Sequence, residues 1–289
     1  MNSRSCILTV VKNEQLYLDE WITYHTNLGI DRFFIIEDID SDSHKDITDK
    51  YDNVTLINIE SFYKKDVYKH IINVKRKINK NISKDVLLPI TLDIIKRDYS
   101  DELDWCFVLD DDEFLTLEND SKSLSEVLSL FDNFDAFVLQ WDCYGANGHV
   151  FRPDYTDKGV VGTYTEKAVG RVPDAQMALL KTCFNLKTYK TKYYNNYHYP
   201  HLCRYVNTDF NRNILKPSFK NIYIRHYITR SLEEYMWKQD VRGYFHRKPQ
   251  YNMFFKINPD MADKQEEYIQ AVKNKLSEIY PDKFNTEEN

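Results

Sequence analysis

The stretch Trp105 to Leu115, WCFVLDDDEFL, decides how this 289-residue chain is read. Its apolar start reads as a buried strand; four carboxylates follow in a row, and Phe114 and Leu115 then return to apolar character, so the chain stays against the core. If extended geometry persists through the motif, Asp110 and Asp112 point to one side and Asp111 and Glu113 to the other. Two like charges about 5 Å apart repel by roughly 3 kcal/mol at an effective dielectric of ~20, a cost that solvent, a proton or a cation must relieve. Magnesium or manganese suits such a pair, because hard cations prefer oxygen ligands and take one or two carboxylates together with substrate phosphates. The alternative is a solvated acidic turn, and the return to the core at Phe114 and Leu115 favours the cation site.

On the N-terminal side, CILTVV (Cys6 to Val11) reads as a buried strand. Leu18, Trp21, Ile22, His25 and Leu28 then recur at helical spacing, with Gly29 as the stop. RFFIIE (Arg32 to Glu37) and VTLINI (Val54 to Ile59) are further strands, and Asp85 to Asp98 is a helix in which Pro89 fits only near the first turn. Strands alternating with helices predict an α/β fold with a mainly parallel, Rossmann-like sheet. On the C-terminal side, SLSE (Ser123 to Glu126) is a capping box, and Asp135 to Trp141 is a strand. From Asp142 to Pro217 the pattern breaks into Gly, Pro, Asn and Tyr, with short strands expected at Val160–Tyr164, Met177–Phe184 and around Tyr197–Val206. NIYIRHY (Asn221 to Tyr227) returns as a strand, SLEE (Ser231 to Glu234) opens a helix ending by Gly243, a last helix spans Met261 to Ile279, and the tail from Pro281 frays. One domain over 1–289 is expected, in two halves at 1–141 and 142–289.

Bulk properties exclude more than they assign. A 42% hydrophobic content builds a sizeable core, and a net charge of −6 argues against a molecule-wide nucleic-acid surface. No run of 18 apolar residues and no signal-peptide pattern is present, so a cytoplasmic protein is expected, with peripheral contact to the inner face of a membrane still compatible. The five cysteines are scattered without a C-x-x-C pair, as reduced thiols would be.

In an open parallel sheet, ligands bind beyond the carboxyl ends of the strands. Polar clusters fall at three such ends: Asn13 and Glu14 in VKNE, Glu37 and Asp38 in EDIDSD, and Asp110 to Glu113. Together they suit a nucleotide held by base and ribose at the first two and by its diphosphate, through a metal, at the third.

These blocks, with LQWDCYGANGH (Leu139 to His149) and IRHYITRSLEEYMWKQDVRG (Ile224 to Gly243), resemble glycosyltransferases of the GT-A fold, the family-2-like group and the family 92 galactosyltransferases. The resemblance runs in order over most of the chain. It implies inverting transfer of a sugar, galactose favoured, from a UDP-sugar donor to a hydroxyl of a glycan acceptor, with Mn2+ or Mg2+ as cofactor, in cell-surface polysaccharide or oligosaccharide synthesis. Asp110 and Asp112 take the places of the D-x-D carboxylates, and Asn13, Glu14, Glu37, Asp38, Asp110 and Asp111 form the implied donor-binding set. Glu37 stands where that family more often has Asp, and Asn147 where it more often has Ser.

Other roles are read from the residues. Trp141 and Tyr144 suit stacking on a sugar ring, with Gly145 admitting close backbone approach, although core packing suits Trp141 equally. His226 ends an apolar strand and completes a workable manganese set with two carboxylates; a core histidine bonded to a backbone carbonyl is the alternative. For the general base, Asp142, Asp154, Glu166 and Asp174 all lie in the loop-rich segment, and Asp174 is the first choice because it precedes a return to the core. Two other classes use parts of the same pattern: a metal-dependent nucleotidyltransferase or phosphodiesterase, and a non-catalytic carbohydrate-binding protein.

Overall fold

The computed structural model describes residues 3–38, 41–58, 84–118, 122–169, 180–189, 221–242 and 250–284. The chain divides into two compact units, Met1–Trp141 with Met177–Ile224, and Asp142–Gln176 with Arg225–Asn289.

The first unit opens with β1 (Ser5–Val11), whose seven residues are all buried, as expected of a central strand. Helix α1 (Leu18–Leu28) follows and buries Leu18, Trp21, Ile22 and His25, while Asp19 and Glu20 sit in the first turn, where they favour the helix dipole. Gly29 ends it at φ 108°, a left-handed conformation that costs glycine nothing. Then come β2 (Arg32–Glu37), the single-turn α2 (Lys45–Thr48), which the sequence pattern did not indicate, and β3 (Val54–Asn58). Helix α3 (Lys84–Tyr99) carries Pro89 as its sixth residue, beyond the first turn, where a proline removes an intrahelical hydrogen bond. The apolar residues around it, Leu87, Leu88, Ile90, Leu92 and Ile95, pack against Cys6, Leu8, Val10, Phe34 and Val108, and that burial outweighs the missing hydrogen bond.

Next are β4 (Trp105–Val108), β5 (Glu113–Leu117), α4 (Leu124–Ser129) with the Ser123–Glu126 capping box, β6 (Ala136–Cys143) and, after α5 (Gly159–Thr163) of the second unit, β7 (Leu180–Asn185) and β8 (Ile222–His226). Among the described residues the sheet has eight strands in the order β3-β2-β1-β4-β7-β6-β8-β5. The half β3-β2-β1-β4 is parallel and β7 runs antiparallel to both β4 and β6, so the sheet is mostly parallel, as expected, with an antiparallel insertion at β7. The architecture is α/β and consistent with a Rossmann-like arrangement.

The second unit includes α5, where a short strand was expected at Val160–Tyr164. It is instead a helical turn, closed by Tyr164 N–H on Val160 O and by the Thr163 hydroxyl on Gly159 O. Ser231 and Glu234 form the expected capping box at the start of α6 (Leu232–Asp240). α7 (Tyr251–Ile257), a 3-10 turn (Pro259–Lys264), α8 (Gln265–Ile279) and a closing turn α9 (Pro281–Phe284) complete the unit. The expected last helix thus begins as a 3-10 segment, and Pro281–Phe284 is helical where fraying was expected; proline suits a first helical position. Its core joins Ala146, Leu232, Met236, Phe254, Val272 and Leu276. The expected strand around Tyr197–Val206 lies outside the described residues.

Candidate functional site

The ends of β2, β1 and β4 are neighbours at one edge of the parallel half, since these strands are adjacent and run the same way. At the end of β4 the ladder stops with Leu109 N–H donating to Leu8 O at 3.2 Å, and Asp110 to Glu113 then form a turn into β5. The alternation expected for an extended motif therefore does not hold across Asp110 to Asp112. Two reciprocal bonds close the turn: Glu113 N–H donates to Asp110 O at 3.1 Å, and Asp110 N–H donates to the Glu113 carboxylate at 2.8 Å. The Trp21 indole N–H from α1 donates to Glu113 O at 2.8 Å, which anchors the far side of the turn to the core.

The acidic turn is not solvated. Asp111 and Asp112 are buried, and so is Glu113. Lys181 of β7 reaches it from below: Nζ lies 2.7 Å from Asp110 Oδ2 and 3.2 Å from Glu113 Oε2, with the Lys181 and Glu113 side chains 0% exposed and that of Asp110 21% exposed. The same ammonium stands 5.8 Å from the centre of the Trp141 ring. Trp141 thus packs beside the carboxylate turn from within the same unit. Lys181 was missed in the sequence, although a lone lysine inside ALLKTCF (Ala178 to Phe184) was the available signal.

At the end of β1, Asn13 adopts φ 53° and its side-chain carbonyl accepts Asp42 N–H at 2.8 Å, while Asn13 N–H donates to Ser41 Oγ at 3.1 Å. Asn13 therefore fastens the segment that follows β2. Glu14 is fully buried, and its backbone carbonyl accepts from Tyr17 and Leu18 at the start of α1. Its N–H donates to His44 Nε2 at 3.1 Å, so the proton of this buried imidazole sits on Nδ1 and faces Glu37 Oε1 at 3.1 Å. The same Glu37 oxygen accepts His44 N–H at 2.6 Å. Glu37 thus orients His44, a residue the motif reading passed over. Asp38, at the end of β2, donates its N–H to Val11 O at 2.9 Å.

In the second unit, Tyr144 N–H donates to His226 O at 2.9 Å, so the strand that carries His226 also holds Tyr144. Tyr144 is buried with its ring 5.2 Å from that of Tyr227, and Arg225 lies 5.7 Å from the Tyr144 ring centre. Gly145 is buried too: a Cβ there would come within 2.9 Å of Asn258 Oδ1, the atom that accepts Ala146 N–H at 2.6 Å. The close approach at Gly145 is thus made by the protein's own Asn258. Glu234 accepts from the Tyr155 and Tyr164 hydroxyls at 2.7 and 2.9 Å, and burial with the nearby carboxylate pushes both phenols far up.

Among the bases considered, Asp174 lies outside the described residues. Asp142 pairs with Lys167 at 2.8 Å, and Asp154 is held below the usual carboxylate range by the Thr156 hydroxyl and N–H. Glu166 is exposed on a segment whose backbone carbonyl accepts from Gly145. Burial raises the thiols of Cys6 and Cys183, which removes them from nucleophilic chemistry near neutral pH.

Among the described residues, no group of three or more His, Cys, Asp or Glu side chains gathers as a ligand set. Asp110 and Asp112 belong to the first unit and His226 to the second. The donor chemistry of the turn fits magnesium or manganese, because such ions take one or two carboxylates and fill their other positions with phosphate oxygens and water. No described helix is long and apolar enough to cross a membrane.

Neither a protein-family model nor a curated protein matches the chain. Solved structures that match include the crystal structure of HddC from Yersinia pseudotuberculosis, at 9% identity over 78% of this chain and 90% of that one, with a TM-score of 0.32. A likeness this weak carries no argument about fold family or chemistry.

Proposed function

We propose that the protein is a metal-dependent glycosyltransferase of the GT-A type, moving a sugar from a UDP-sugar to a hydroxyl of a glycan acceptor with inversion. The observation that carries this reading is the carboxylate turn Asp110–Glu113, with Asp111, Asp112 and Glu113 buried and Asp110 partly exposed, set at the end of β4 beside the polar ends of β1 and β2. A carboxylate cluster costs several kcal/mol to keep charged and buried, and a surface turn has no need of it. Lys181 relieves part of that cost and fixes the Asp110 carboxylate.

In this reading Asp110 and Asp112 would hold the cation, which when bound supplies Lewis-acid stabilisation of charge on the leaving diphosphate. Asn13 and the Glu37–His44 pair hold the segments after β1 and β2 in place, where they would meet the nucleoside. Trp141, packed against Lys181, offers a flat face to the sugar. Asp174 is the base assigned to the acceptor hydroxyl.

The test is incubation with Mn2+ and each UDP-sugar in turn, following UDP release with and without added glycans. Release accelerated by one glycan, and lost in Asp112→Asn, is expected. Phosphate or pyrophosphate chemistry that proceeds without an acceptor sugar would replace this reading with a nucleotidyltransferase or phosphodiesterase. Glycan binding with no turnover of any donor would make the protein a carbohydrate-binding module.

A further inference from the structure

We propose that Lys181 is a positioning residue that sets how strongly the carboxylate turn attracts a divalent cation, holding the free protein's affinity low until a diphosphate adds its own charge. This deepens the reading above and rests on it for the cation site at Asp110 and Asp112 and for the identity of the diphosphate.

The argument begins with charge. Lys181 Nζ contacts both Asp110 Oδ2 and Glu113 Oε2, the first and last carboxylates of the turn, from a position with no exposure of its own. A compact ammonium at hydrogen-bond distance does part of what a metal ion does at a carboxylate cluster: it cancels repulsion and fixes oxygen positions. Its place is secured by the fold. Lys181 sits in β7 opposite Leu139 of β6, and β7 pairs with β4 on its other side, so the cation arrives beneath the turn from the adjacent strand. The Trp141 ring at 5.8 Å adds a face that favours positive charge.

A divalent ion approaching Asp110 therefore meets a carboxylate that already shares one oxygen with a cation. The ion and the ammonium repel, which weakens capture by the free protein. A bound diphosphate adds negative charge and phosphate oxygens, which restores the balance and couples metal binding to nucleotide binding.

The experiment measures Mn2+ dissociation constants by electron paramagnetic resonance on wild type, Lys181→Arg, Lys181→Met and the charge-neutral pair Lys181→Met with Glu113→Gln, each with and without UDP. The double variant guards against misfolding, since replacing both members of a buried pair is tolerated better than removing one. In the absence of UDP, Lys181→Met is expected to bind Mn2+ about tenfold tighter than wild type, and the double variant, which loses a carboxylate as well as the ammonium that holds Asp110, tighter by a smaller factor, each with a smaller further gain on adding UDP; Lys181→Arg should stay near wild type. Unchanged or weaker Mn2+ binding in whichever Met variant folds overturns the proposal. Failure of both to fold, judged by circular dichroism, also overturns it, because Lys181 would then be a structural brace. Tighter Mn2+ binding in a protein that transfers no sugar would sink the glycosyltransferase reading and leave this one standing.

Discussion

His25 Nε2 accepts the backbone N–H of Leu115 at 3.0 Å, so a histidine on α1 fixes the strand that leaves the acidic turn. Its Nδ1 faces Trp21 O at 2.8 Å and therefore carries the proton. Both ring nitrogens are engaged in the neutral form. Burial lowers the pKa from 6.5 to about 3 against the smaller opposing effect of the Trp21 carbonyl.

That depression has a direction in pH. The unfolded chain binds a proton at this position below about 6.5 and the folded chain does not until about 3, so stability is fully present above 6.5 and declines as pH falls through that window. Between pH 7 and pH 5 this one group should cost the wild type about 2 kcal/mol. Urea unfolding at both values should show that loss reduced in His25→Gln, whose side chain does not titrate. Equal losses in the two proteins would remove His25 as the source.

Asp110→Ala should abolish sugar transfer and also destabilise the protein by about 3 kcal/mol, because it strips one partner from the buried Lys181 ammonium. From the motif alone this substitution looks harmless to the fold; the ion pair reverses that expectation. Asp112→Ala should abolish transfer as well, whereas Asp111→Asn should retain more activity than either. Thermal melts alongside initial rates check the pattern, and near-normal turnover in folded Asp110→Ala or Asp112→Ala would contradict the cation site.

UDP should raise the melting temperature in Mn2+ and much less in EDTA, since a ligand that binds only the native state stabilises it by mass action. Equal shifts in the two buffers would contradict a metal-bridged diphosphate. A larger shift with GDP or CMP would move the assignment away from uridine.

Gly145→Ala should destabilise by about 1–3 kcal/mol, because its Cβ would press on Asn258 Oδ1 at 2.9 Å. Asn258→Ala removes the obstacle along with the bond to Ala146 N–H. The double variant should therefore cost less than the two single losses added together, by more than about 0.5 kcal/mol in a double-mutant cycle. Strict additivity would show that the two residues do not meet.

Local pattern was enough for much of this protein. The strands at Ser5–Val11, Arg32–Glu37, Ala136–Cys143 and Ile222–His226, the amphipathic spacing of Leu18–Leu28 with Gly29 at its end, and both serine capping boxes follow from periodicity and from hydrogen bonds made within a few residues. So did the interest of Asp110 to Glu113, because charge placed between apolar runs is visible in one dimension. What the chain does at those carboxylates was decided only in three dimensions. Whether the segment extends or turns depends on the Glu113 carboxylate reaching back to Asp110 N–H and on Trp21, ninety-two residues away in sequence, holding Glu113 O. Lys181 enters because β7 inserts antiparallel between β4 and β6, and His44 because Glu37 and Glu14 converge on its ring. A single lysine or histidine has no periodicity to betray its partner; strand order, set by packing of the whole sheet, brings the two together.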